Sequence, residues 1–264
     1  MSKTTLDLST LSDITDGVHT VTVKAKADGY IDSEASNAVN YTVTTPSLTD
    51  CILFEGETSD FNLRATYKEW DGTVEYSTDK NTWYTWDGVH IISSTNKKLY
   101  LRGKGNTKFY TDNGVKLVLS EKAGCYGNIN TLLDYENPPT TLRSICYTSM
   151  FQGCTSLTTA PELPATTLGT SCYMNMFRGC TSLTTAPSLP ATTLANNCYA
   201  SMFSGCTSLK VSETQTEEYV TAWRIPSADE IAAEAANWNG GMLSNTGGTF
   251  TGDPSINTTY YGAW

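Results

Sequence analysis

The sequence predicts a mainly β protein: strand-forming segments first, then a solenoid of stacked repeats with short helical turns and a C-terminal capping helix. Three observations carry this. Residues 51 to 121 hold short strand-like runs separated by turn clusters, the pattern of a β-sandwich. Near-copies of one 26-residue stretch then begin at Cys146, Cys172 and Cys198, and Cys154–Gly179 matches Cys180–Gly205 at 19 of 26 positions. A fixed period of that length marks stacked units. Finally, Ser227 followed by Glu230 forms a capping box behind Pro226, and IAAEAAN continues with helix formers.

At 264 residues the chain has room for several domains, and the expected division is 1–46, 51–122 and 125–264. A net charge of -10 repels phosphate backbones and anionic head groups, so nucleic acid is not an expected partner. No apolar run reaches the roughly 18 residues that span a bilayer, so no membrane insertion is expected. The start MSKTTLDLST lacks the plan of a secretory signal. That leads to an expectation of cytoplasmic synthesis, with any extracellular role reached by release or by assembly into a particle.

In chain order, VHTVTVKAKA places Val21, Val23, Ala25 and Ala27 on one face, and Val39, Tyr41 and Val43 alternate likewise. Residues 5 to 45 resemble the second half of an immunoglobulin-like or fibronectin type III module. A full sandwich of that kind takes about 100 residues. Half a module leaves an open face and open edges, so residues 1–45 are expected to pack on the next domain or on another subunit, whether another virion protein or a sister subunit in a homo-oligomer.

The runs CILFEG, FNLRATY, GTVEYS, TWYTW, HIISS, KLYLRG, KFYT and VKLVLS follow. The aromatics Tyr67, Trp70, Tyr76, Trp83, Tyr84 and Trp86 fit core or cross-strand pairs better than sugar-stacking platforms. Pro138-Pro139-Thr140-Thr141-Leu142 stands one period ahead of Pro164-Ala165-Thr166-Thr167-Leu168, so the array starts with a divergent unit near Asn128. After Leu209 the pattern is lost, and it returns at Trp238, Met242 and Leu243, spaced like Cys198, Met202 and Phe203.

Side chains that recur with the period stack on their copies. Met150, Phe151, Leu157, Leu163 and Leu168, with Met176, Phe177, Leu183, Leu189 and Leu194, are therefore expected as interior columns. Pro161 and Pro164, with Pro187 and Pro190, hold the return path extended. TSLTTAP is expected to supply a strand, and SCYMNMF a helical turn. The MF..C..L core followed by an apolar, proline-bearing stretch resembles the BspA-type leucine-rich repeat of bacterial surface proteins and gut phages, over roughly residues 125 to 250. What that resemblance implies is an adhesion or recognition scaffold without catalytic machinery or cofactor.

Six of the eight cysteines fall into two columns, Cys146, Cys172, Cys198 and Cys154, Cys180, Cys206. An odd column cannot pair completely, and no CxxC pair occurs, so buried thiols are expected rather than disulfides or zinc. Cys51 and Cys125 flank the β segment and could pair. No nucleophile elbow, HExxH, Walker loop or GxGxxG is present. His19 and His90 lie in strand-like runs. Asp71 and Asp87, each in WDG, are candidates for paired-carboxylate chemistry only through their aromatic neighbours, and both fit turns better.

Surface is what remains for function. From Ser144 to Leu209 only Glu162 and Arg178 are charged. Thr158, Thr159, Thr184 and Thr185 are expected in one row, suited to a cell-surface glycan or protein. Positions that vary between copies, Gln152, Arg178 and Ser204 or Thr148, Met174 and Ala200, are expected to face solvent. The resulting expectation is a non-enzymatic adhesion protein of a phage virion, a tail or head fibre, that recognises a host. A surface-bound or secreted bacterial adhesin and a purely structural decoration protein are the alternatives.

Overall fold

The computed structural model describes residues 17–21, 39–43, 48–66, 70–109, 116–232 and 235–264. The chain divides into two units, 1–47 and 48–264. In the first, Gly17–Val21 pairs antiparallel with Val39–Val43, Gly17 opposite Val43 and Val21 opposite Val39. The other residues of the expected immunoglobulin-like segment, and Tyr67, lie outside the described residues.

In the second unit, Ile52–Gly56 lies at the middle of a six-stranded sheet. On one side it pairs antiparallel with Lys98–Lys104, which carries Thr73–Ser77 and the edge strand Tyr84–Thr85. On the other side Ala123–Tyr126 pairs antiparallel with it and parallel with Leu157–Thr159 of the first clean repeat. The sheet thus runs directly into the repeats. Asn62–Ala65, between Ile92–Ser93 and Leu117–Leu119, forms a separate three-stranded sheet. Trp70 and Trp86 are buried with ring centroids 5.3 Å apart, as the core reading of the aromatics requires. Tyr76 and Tyr84 form a cross-strand pair at 5.6 Å, and the guanidinium of Arg102 sits between Trp83 and Tyr135 while bonding Glu75 at 2.7 Å.

The expected leucine-rich-repeat solenoid with helical turns and a helical cap is overturned. Among the described residues there is no α-helix; only Ile129–Leu132 and Ala235–Asn237 form short 3-10 turns, and the strands fall into five separate sheets. The segment read as a capping helix is instead a strand, Glu230–Ile231, on the edge of a parallel sheet with Thr141–Leu142, Thr167–Leu168 and Thr193–Leu194. Its amides have tertiary acceptors ready: Asp229 and Glu230 donate to the Thr192 carbonyl at 2.8 and 3.2 Å, and Ala232 to Leu194 at 3.2 Å. An isolated helix this short is marginal in water, so the ladder wins over the capping box.

The SCYMNMF segments also avoid helix. Every fourth residue turns into the left-handed region: Ile145, Ser149 and Gly153 in one copy, Ser171, Asn175 and Gly179 in the next, Asn197, Ser201 and Gly205 in the third. Alternate amides then point to the neighbouring copy instead of back along the chain. Tyr147, Ser149, Phe151 and Gly153 donate to the carbonyls of Cys172, Met174, Met176 and Arg178 at 2.7 to 2.9 Å, and the next pair of copies repeats the pattern. The fourth turn is completed as its spacing indicates, with Tyr199 and Phe203 donating to Trp238 and Met242.

Side chains stack with the same period. Tyr147, Tyr173 and Tyr199 lie 6.0 and 5.9 Å apart, and Phe151, Phe177 and Phe203 are spaced at 5.6 Å with planes within 7°. Phe109 begins the tyrosine stack, 6.0 Å from Tyr147, and Trp238 closes it edge-on. The methionine and leucine columns are buried, and one apolar core runs from Ile52 to Tyr260. Each buried ring adds roughly 1.5–3 kcal/mol of hydrophobic stabilisation. All eight cysteines are buried free thiols, Cys51 and Cys125 included. Cys180 and Cys206 donate to the carbonyls of Phe151 and Phe177 at 3.0 Å, which links each copy to the one before it.

Candidate binding surface

The predicted threonines form a row of two copies. Thr159 bridges Thr185 in parallel, and the Thr184 amide donates to the Thr158 carbonyl at 3.3 Å. Thr184 is exposed and the other three are half-buried. Gln152, Arg178 and Ser204 form a second row beside the glycines Gly153, Gly179 and Gly205, whose φ of 74 to 77° keeps that edge free of side chains. Arg178 is exposed, Gln152 and Ser204 are half-buried, and Ser244 of the last turn donates to the Ser204 hydroxyl at 2.8 Å. The other variable set departs from expectation. Thr148 is buried, its hydroxyl donating to the Ser171 carbonyl, while Met174 and Ala200 are half-buried.

The acidic candidates close loops. Asp87 accepts from the amides of His90 and Val89 at 2.9 Å, which holds its carboxyl down at about 2, and it also contacts the exposed His90 ring. Asp71 accepts from the amide and hydroxyl of Thr107. The histidine candidate His19 lies in Gly17–Val21. Burial pushes the thiols of Cys51, Cys146, Cys198 and Cys206 up to about 12, which suppresses the thiolate that nucleophilic chemistry needs. No group of three or more His, Cys, Asp or Glu suited to a metal ion occurs among the described residues, and none of their helices is long and apolar enough to cross a membrane.

A further surface was missed from the sequence. Between Thr159/Thr185 and Thr167/Thr193, where neighbouring copies pair, the proline-bearing segments 160–164 and 186–190 do not pair with each other. Proline supplies no amide, so the ladder opens there. The opening is a depression of about 460 Å³ lined by Ala160, Pro161, Glu162, Leu163, Pro187 and Pro190, among others. A second depression of about 290 Å³ shares Ser188 and Pro190 with it and continues along Ala222, Trp223, Arg224 and Ser227.

Its far wall comes from the third copy, which departs from the pattern after Leu209 and returns through the strand Thr221–Arg224. That strand pairs with Thr259–Gly262, and Val211–Ser212 pairs with the other edge of Thr259–Gly262. The buried Trp223 fixes the wall by donating from Nε1 to the Pro187 carbonyl at 3.0 Å and by packing edge-on against Phe203. The recurring prolines were the one sequence signal for this slot. The course of residues 212–222 had none. No family model, curated protein or solved structure matches the chain.

Proposed function

We propose that this chain is a non-enzymatic recognition protein that contacts a cell-surface glycan or protein through its repeat array, carried as a tail- or head-fibre type appendage of a phage virion. The observation that supports this reading most is the division within each copy. Residues that recur, such as Tyr173, Met176, Phe177 and Cys180, are buried and hold the copies in register. Residues that differ, Gln152, Arg178 and Ser204, reach the surface in one row beside the glycines. A rigid scaffold with exchangeable surface positions suits recognition.

The test is binding of the fluorescently labelled full chain to a panel of bacterial cells and to a glycan array. Selective binding that drops about tenfold in Arg178→Glu or Thr184→Lys supports the reading. Absence of any selective binding refutes the recognition role. Antibody labelling of virions at their appendages checks the location separately.

A further inference from the structure

We infer that the proline-walled slot seats an extended peptide segment of the partner, one that carries a basic and an acidic side chain; this rests on the recognition role proposed above. The slot is an interruption in hydrogen bonding as well as a hollow. The amides of Leu163, Ser188 and Leu189 meet no acceptor among the described residues, and the carbonyls of Ser188 and Leu189 meet no donor. Successive residues of an extended segment turn their polar groups to opposite sides, so the amide and carbonyl of a single residue, Ser188 or Leu189, are the pair that can meet another backbone, as in strand addition to an open edge. The flanking pyrrolidine rings have fixed φ, so the edge is held open before a ligand arrives and little ordering is needed on binding.

Charge selects the side chains. Glu162 and Arg224 are both exposed, stand in different copies along the slot, and have no ion pair or side-chain hydrogen bond among the described residues. A carboxylate in one part of the slot and a guanidinium in another are complementary to a peptide with lysine or arginine at one position and aspartate or glutamate at another. A neutral sugar fits less well. The one aromatic residue in the lining, Trp223, is 4% exposed, so no ring face is available for stacking.

The test uses the full chain and fluorescence anisotropy with labelled, end-blocked eight-residue peptides of Val and Thr. Each carries one Lys and one Asp at varied spacing, with Lys-Lys, Asp-Asp and neutral peptides as controls. At least one Lys/Asp peptide is expected to bind, with Glu162→Gln and Arg224→Gln each weakening it about tenfold and Arg64→Gln, at an exposed position of Asn62–Ala65 outside the slot, leaving it unchanged. The exchange Glu162→Arg with Arg224→Glu should favour the peptide with its charges in reverse order. Circular dichroism melting verifies that these surface variants are folded.

Three results overturn the inference: no peptide binds, the bound peptide is indifferent to both single substitutions, or an acidic glycan alone binds and is lost in Arg224→Gln. If labelled wild-type chain still binds cells while peptides do not, the slot assignment fails and the recognition role stands. If neither binds, both fail.

Discussion

One substitution made in two adjacent copies separates the energetics of the tyrosine stack. The Tyr147 hydroxyl donates to the Ile129 carbonyl at 3.0 Å, whereas the Tyr173 hydroxyl is buried and has no partner among the described residues. Both rings are buried and stacked at nearly the same spacing, 6.0 and 5.9 Å, so replacing Tyr by Phe leaves the ring packing alone and removes only the oxygen. An unsatisfied buried hydroxyl costs about 1–3 kcal/mol, and a satisfied one contributes about 0.5–1.5 kcal/mol net. Tyr173→Phe is therefore expected to stabilise by about 1 kcal/mol, and Tyr147→Phe to destabilise by about the same amount, leaving the Ile129 carbonyl unpaired. For a unit of this size that is roughly 2–4 °C upward for one and downward for the other. Differential scanning calorimetry with urea melts at constant slope reads both. If the two variants shift in the same direction by similar amounts, the Tyr173 hydroxyl has a partner and the reasoning fails.

Further expectations concern backbone, core and thiols. Ile145 sits at φ 56°, where its counterpart in the third copy is Asn197 at the same angle; Ile145→Asn should gain about 1 kcal/mol in chemical denaturation, because β-branched side chains are strained there. Gly179→Ala should lose about 1 kcal/mol or more through its φ of 75° alone, since a Cβ would meet nothing closer than 3.7 Å. Phe177→Ala, at the centre of its stack, should cost about 3–5 kcal/mol in the same assay. Cys146, Cys198 and Cys206 have folded-state values near 12 against 9.0 for a free thiol, so the unfolded chain releases protons first as pH rises. Their contribution is complete below pH 9 and is lost between pH 9 and 12, which alkaline melts and the rate of thiol labelling with an aromatic disulfide reagent both follow.

What could be read from the residues was whatever repeats. The columns of Met150, Phe151, Leu157 and the six repeat cysteines follow from the 26-residue spacing, as does the return at Trp238, Met242 and Leu243. Local signals failed where a tertiary partner competed with them. Ser227 to Glu230 spells a helix start, yet the Thr192 carbonyl lies beside the amides of Asp229 and Glu230, and nothing in that segment announces it. SCYMNMF reads as a helical turn, but the left-handed residues Ser171 and Asn175 redirect its amides to the next copy. The threonine row and the Gln152, Arg178, Ser204 row were legible because they are defined within one period. The slot was only half legible: its prolines recur, while Trp223 and Arg224 reach it from an insertion that occurs once.

On the tyrosine side the hydrogen bonds between copies run from the amide of one copy to the carbonyl of the following copy, as from Tyr147 to Cys172, and on the threonine side they run back to the preceding copy, as from Thr184 to Thr158. The array therefore has a sense, like an arrow, and its two ends are chemically unlike. A unit can be gained or lost only whole and in the same orientation, and then every remaining contact is restored by an equivalent one. Each such event changes the reach of the array by about 5 Å, one interstrand spacing. It leaves untouched both the β segment that opens the array and the tail that ends it. Length in this chain is thus counted in whole units, and each unit brings its own buried rings and its own interface to the total stability.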